Sequence, residues 1–389
     1  MAALDSVTFP LVEVLPAANA QNEWVALCLR VMDEPATADT LHALFDTPDL
    51  LAAIAPLDCV LRLASPAILT AALLALLPRS RVVLAVPAAA LATTGVARQL
   101  EALHEAGYRI LLDGPVPEGA QLPYTLRAIS RDCSLAAPGC AALSPLFGPH
   151  LAHGVDTLQR QGECQHAGFD WFSGAYQLAA QDTNPNQDGS SRRRMLALLG
   201  LLARDADSCE LEQLLKQDPA LSFHLLKLVN SAAFAVSAPI TSFNQAITLL
   251  GRRQLQRWLQ LLLYARQQDN GLPNLLLPQA ALRGAQLEAL AKREGGDREA
   301  QDLAFMTGVF SLLDRLFAMP MTEVVGALNL PPHVAAALLL HEGALGRRLH
   351  LVSATPQADA LRAARIDHAS WWQSQLHAYH WAIQVARNV

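Results

Sequence analysis

The sequence predicts two domains of different class, an α/β domain followed by an all-α domain. Three observations carry that expectation. Up to residue 113, short strand-like runs alternate with helical stretches. A polar segment, "AQDTNPNQDGSSRRR" (180–194), contains Pro185 and Gly189 and has no apolar period, which marks a linker. Beyond it, strand signals almost vanish. The expected divisions are residues 1–180, a linker at 181–194, and residues 195–389.

In the first half, "WVALCLRV" (24–31), "CVLRLA" (59–64), "RVVLAV" (81–86) and "YRILLD" (108–113) read as strands buried on both faces. Residues 38–54, 66–77 and 95–106 read as the helices between them. Strand, helix and strand in series imply parallel pairing with helices outside, as a β/α barrel or a doubly wound sheet. After Gly107 the pattern thins, and "DGPVPEGAQLP" (113–123) is loop. The half is short for a full eight-unit barrel of roughly 250 residues.

In the second half, helical periods recur at 191–204, 208–216, 219–229, 243–250, 253–268, 279–294, 300–317, 321–328 and 332–341, and again beyond 357. Ser242 with Gln245 fits a capping box, Pro332 a first helical position, and Gly251 a C-terminal stop. No repeat of fixed period is present, so a globular helical domain is expected rather than a solenoid.

Composition bounds the function. The chain has 389 residues, 52% hydrophobic and only 16% charged, with a formal charge of −6. That balance argues against a broad basic surface for nucleic acid. The six cysteines (Cys28, Cys59, Cys133, Cys140, Cys164, Cys209) form no C-x-x-C pair and read as free thiols in a reducing cytoplasm. The first twenty residues carry Asp5 and Glu13 and lack a basic start followed by an apolar core. The apolar runs 66–77 and 334–340 are too short to cross a bilayer. A cytoplasmic protein with no membrane insertion is expected.

One stretch interrupts the helical half: "LVNSAAFAVSAPITSF" (228–243). Asn230 and Ser231 fall where a helix must end, and both can bond freed backbone groups. They are candidates for a structural turn or an interaction site. Arg252, Arg253 and Arg257 stand at a helix start, where positive charge opposes the macrodipole unless it meets a partner, another domain or a phosphate. Arg192–Arg194 read as solvated linker.

The run "LLKLVNSAAFAVSAPITSFNQAITLLGRRQLQRWLQLLLYA" (225–265) resembles the signature of the HDOD domain, a helical module of bacterial signalling proteins. In that family a Leu-Val-Asn-Ser turn, a Pro-Ile-x-Ser turn and an Ala-Ile-x-x-Leu-Gly helix recur in this order. Residues 305–352 resemble the later part of the domain, in the subgroup where it follows an EAL-type domain. Residues 151–177 are similar to the closing segment of EAL domains, where Ala-Glu-x-Val-Glu-Thr precedes Gly-Phe-Asp. The resemblance implies an α/β N-terminal domain, a degenerate and incomplete EAL-type barrel, joined to an all-α HDOD domain.

EAL phosphodiesterases hydrolyse cyclic di-GMP with divalent metals held by carboxylates and an Asn, beside a catalytic Lys. Hard cations need such oxygen donors to polarise phosphoryl oxygens and activate water. Carried over by resemblance, Val25 stands for the motif Glu and Arg62 near the Asn. Asp113-Gly114 replaces paired Asp, His153 and Asp156 replace two Glu, and Ser173 replaces a Gln. Asp113 and Asp156 are the residual EAL-like carboxylates. HD phosphohydrolases, related to HDOD domains, hold metals on a His-Asp pair. No His-Asp dipeptide occurs here; Ser311 and Leu312 stand near its place, and His341-Glu342 is the nearest substitute. Trp371, Trp372 and Trp381, beside His377 and His380, read as core or domain contact.

These departures predict no catalytic residue, no metal and no cofactor, hence a protein that is not an enzyme. The expected function is a non-catalytic bacterial signal-transduction regulator in motility, biofilm or stress signalling, acting through other signalling proteins, a second copy of itself, or inter-domain contacts. A cyclic di-GMP receptor without hydrolysis and a metal-dependent phosphohydrolase with a non-standard site are the alternatives.

Overall fold

A computed structural model describes residues 9–32, 36–46, 49–120, 122–136, 143–179, 189–204, 206–207, 210–211, 213, 225, 245, 248, 251–264, 272–328 and 330–388. Asn230 and Ser231 lie outside the described residues, as do Ser242, Phe243, Cys140 and Cys209. The chain divides into two compact units: Met1–Ala179 with Pro356–Leu376, and Ala180–Thr355 with His377–Val389.

The first unit is built on eight strands: β1 (Val12–Ala18), β2 (Trp24–Val31), β3 (Asp58–Arg62), β4 (Val82–Pro87), β5 (Arg109–Asp113), β6 (Ile129–Asp132), β7 (Leu151–His153) and β8 (Trp171–Ser173). They close into a barrel in sequence order. This corrects the expectation of an incomplete barrel. The last three strands have only four, three and three residues, too few for a readable period. The four strands expected to pair in parallel do so, whereas β1, which the sequence did not reveal, runs antiparallel to both neighbours. The cause is local. Asn19 Oδ1 accepts the N–H groups of Gln21 and Glu23, and Asn22 takes a left-handed φ of 60°. So short a turn can only return the chain antiparallel.

The seam between β1 and β8 has just two paired positions, Ala17 with Ser173 and Ala18 with Phe172. Buried Gln177 reinforces it, donating to the Pro16 carbonyl at 2.9 Å and accepting from Trp24 Nε1 at 3.0 Å. Inside the barrel, Ala17, Ala26, Cys28, Val60, Val83, Ala85, Leu111 and Leu151 pack as one cluster. Successive strand residues point to opposite faces. The residues in phase with this cluster therefore face inward along every strand.

Helices α1 (Ala38–Phe45), α2 (Asp49–Ala53), α3 (Ala71–Leu76), α4 (Val96–Glu105) and α5 (Leu158–His166) follow strands β2, β3, β4 and β7. Thr37 and Thr40 form the capping box of α1, and Thr157 caps α5. The expected single helix at 38–54 is thus two. His368 Nδ1 lies 3.1 Å from the Phe9 carbonyl and the Trp372 ring 6.1 Å from that of Phe9, tying Pro356–Leu376 to this unit.

The second unit is helical, with helices Gly189–Ala203, Arg252–Leu262, Leu276–Arg293, Arg298–Phe310, Leu313–Phe317, Met321–Leu328, Pro332–Leu340 and Gly343–Ser353. Helix Gly189–Ala203 begins inside the segment expected to be linker. Pro332 does open a helix, and Gly251, with φ 75°, is the N-cap of another; most of the helix expected to stop at Gly251 lies outside the described residues. Helices Leu276–Arg293 and Arg298–Phe310 cross closely: a Cβ on Gly308 would lie 2.6 Å from the Arg283 backbone. Trp258, Tyr264, Phe305 and Phe310 fill the core, and the Trp258 and Trp381 rings are 5.0 Å apart. No single helix among the described residues is long and apolar enough to cross a membrane.

Candidate functional site

The C-terminal ends of parallel barrel strands are where side chains from separate strands converge on one opening. Strand register places Arg30, Arg62, Asp113, Asp132 and His153 at that end, facing inward, with Glu13 from the antiparallel β1. Three of them touch. Arg62 Nη2 donates to Asp113 Oδ2 at 3.0 Å, and His153 Nε2 lies 3.2 Å from Asp113 Oδ1 and 3.5 Å from Arg62 Nη2. With Asp113 ionised, His153 Nε2 must carry the proton shared with the carboxylate.

Burial alone would raise the Asp113 pKa, but the His153 hydrogen bond and the Arg62 charge outweigh it and hold the carboxyl well below its usual range. At Asp132 burial is likewise outweighed, chiefly by the Ser134 N–H on Oδ1 at 2.9 Å. Gly154 follows His153 with φ 66°, and a Cβ there would sit 2.7 Å from Asp132 Oδ1. Only glycine allows that approach. Beside Arg62 in register, Arg30 pairs with buried Glu13 at 2.9 Å.

The carried-over positions divide on this geometry. Arg62, Asp113 and His153 are brought together, and Ser173 faces inward on β8. Asp156 is exposed in the loop before α5 and joins nothing at the mouth. Val25 is out of phase with inward-facing Ala26 and Cys28, so it stands on the outer face. Glu13, Arg30, Ser130 and Asp132 were missed by sequence reasoning. The signal that would have found them is pleat phase, which only the register reveals.

The resemblance implies divalent metals, and the residues present do not fit them. Among the described residues no group of three His, Cys, Asp or Glu side chains could hold a metal. A guanidinium meets Asp113 where a cation would need it. The thiol of inward-facing Cys28 is pushed up to about 12 by burial, so it is protonated and apolar in behaviour.

In the helical unit, Arg252 donates to the Ala206 carbonyl. Arg253 and Arg257 share Glu288 and Asp302: Arg257 Nη2 lies 3.1 Å from Asp302 Oδ1 and also bonds Glu288, and Arg253 bonds both acids. Arg257 stacks over the Phe305 ring at 4.9 Å. Near the place of the absent His-Asp pair, Ser311 accepts from Arg283 Nη1 at 3.1 Å, and Leu312 is buried. Burial pushes the Arg283 guanidinium down to about 10. His341 takes a left-handed φ of 54° where one helix ends, and Glu342 is exposed beside it. Trp371 and Trp372, in the segment that belongs to the barrel unit, are buried.

Comparison with known proteins bears on both units. Residues 193–318 match the family model of the HDOD domain. The "Cyclic di-GMP phosphodiesterase CdgJ" of Vibrio cholerae is 28% identical over 299 residues, which are 73% of this chain and 67% of that protein. The protein YuxH of Bacillus subtilis is 26% identical over 227 residues, 58% of this chain and 54% of its own length. Among solved structures, the EAL domain of Mycobacterium smegmatis DcpA is 18% identical, with 42% of this chain and 89% of that chain covered and a TM-score of 0.34. An HDOD domain protein from Geobacter sulfurreducens is 17% identical, with 48% and 81% covered and a TM-score of 0.31. The similarity to a phosphodiesterase over most of the chain overturns the expectation that this protein is not an enzyme.

Proposed function

We propose that this is a cyclic di-GMP signalling protein whose barrel mouth engages the dinucleotide and whose HDOD domain acts on partner proteins, with the two domains divided near residues 181–194. The observation that carries the reading is the Arg62–Asp113–His153 cluster at the strand ends. A guanidinium offers paired donors to phosphate oxygens. An imidazole oriented by a carboxylate can move a proton. Phosphodiester hydrolysis is the activity in the name of the Vibrio relative, and His153 is the group positioned to serve it here.

Titration of the full chain with cyclic di-GMP, followed by chromatography of the incubated nucleotide, tests both parts. Saturable binding that Arg62→Ala weakens at least ~10-fold is expected. Linear dinucleotide above a buffer control, lost in His153→Asn, would place hydrolysis at this mouth. No binding and no product would end the reading.

A further inference from the structure

We infer that the barrel mouth holds its phosphodiester without a divalent cation, using Arg62 and the hydroxyls of Ser130 and Ser173; the inference rests on the mouth being the dinucleotide site. Ser130 on β6 and Ser173 on β8 both face inward, paired in register with Asp113 and Ala17. They are 0% and 1% exposed, and neither Oγ has a hydrogen-bond partner among the described residues. A buried hydroxyl left unpaired loses its bonds to water with nothing in return. Two of them face into the barrel from β6 and β8, the strands on either side of the β7 that ends in His153.

Arg62 also faces inward at this end and has donors to spare. Arg62 bonds the cluster through Nη2 alone, leaving Nε and Nη1. The acids are in the opposite condition. Asp113 has one oxygen on Arg62 and the other on His153, and Asp132 Oδ1 takes the Ser134 N–H. The mouth therefore offers free donors, while both oxygens of its central acid, Asp113, are occupied. A phosphodiester has two non-bridging oxygens that only accept, so it matches that set. A divalent cation needs free acceptors and would stand against a fixed positive charge. Arg62 takes the place of the cation, and the serines supply the remaining bonds.

The test is calorimetric titration of the full chain with cyclic di-GMP in EDTA, in Mg²⁺ and in Mn²⁺. The expected result is a Kd that agrees within ~3-fold in all three. Ser130→Ala and Ser173→Ala should each weaken binding ~5-fold while the ligand-free melting temperature stays level or rises, since each variant removes an unpaired hydroxyl. Binding that collapses in EDTA would overturn the inference and leave the mouth as the site. Serine variants that bind like the parent would overturn it too, reducing the hydroxyls to holders of ordered water. No binding in any buffer would remove the functional reading itself, and this inference with it.

Discussion

The barrel mouth and the helical unit both set arginines against carboxylates, yet the two arrangements differ in what they leave over. In the helical unit, Arg253 and Arg257 share Glu288 and Asp302, and Arg257 lies flat on Phe305. Two positive charges meet two negative ones, and of the two guanidinium groups only Arg257 Nε is buried without a partner among the described residues. At the mouth Arg62, like Arg257, bonds through Nη2 alone, and the difference is that two inward-facing serine hydroxyls also bond nothing among the described residues. Remaining hydrogen-bonding capacity, more than charge itself, separates a binding site from a strut. The helix-start arginines, which the sequence offered as candidates for a partner or a phosphate, are held by residues of their own chain.

The largest expected effect comes from disturbing the scaffold under the closed network. Gly308 sits where helix Arg298–Phe310, bearing Asp302, crosses helix Leu276–Arg293, bearing Glu288. Any Cβ at this position would meet backbone atoms at 2.6 Å, and backbone cannot yield as a flexible side chain would. Gly308→Val should cost about 3 kcal/mol in urea denaturation. Wild-type stability in that variant would mean the helices can part, and the network would not be a rigid strut.

Next comes the network itself. Glu288 has a side chain 16% exposed and serves both arginines. Glu288→Gln should destabilise by about 2 kcal/mol, since it leaves two guanidinium groups with Asp302 alone. A loss below ~0.5 kcal/mol would class these contacts with ordinary surface pairs. The comparison with the mouth would then lose its first half.

The difference between the units also explains what could be read from the sequence. Strands β2 to β5 run five to eight residues and are dense in Val, Leu and Ala, so they stood out. Strands β6 to β8 are too short for alternation to register, and β1 contains Pro16, which weakens a strand reading. Closure was invisible because the seam at Ala17 and Ala18 is two pairs long. At the site, Arg62, Asp113 and His153 were legible through family resemblance. Pleat phase was not, because a strand buried on both faces looks alike in either phase. Val25 was therefore placed one residue away from the inward-facing row of Ala26, Cys28 and Arg30. Ser130 carried no signal at all, since only its burial without a partner makes it notable.

The smallest effect is expected at the open cluster, and its sign can be worked out. Asp113 is ionised at a pKa held below the usual carboxylate value of about 3.9, so it binds fewer protons folded than unfolded. Its contribution to stability is therefore present above that unfolded value and is lost as pH falls toward the folded one. Asp113→Asn removes the term. With side chains 23% and 19% exposed in the Arg62–Asp113 pair, solvent screens it, and the loss at neutral pH should be about 1 kcal/mol. Melting curves of parent and variant should therefore stand a constant distance apart from pH 8 to about pH 5 and converge below about pH 4. A gap that persists into acid would mean the ion pair contributes nothing that titrates. Asp113 would then matter only for holding Arg62 and His153 in position, and the mouth would be less distinct from the helical network than its geometry makes it.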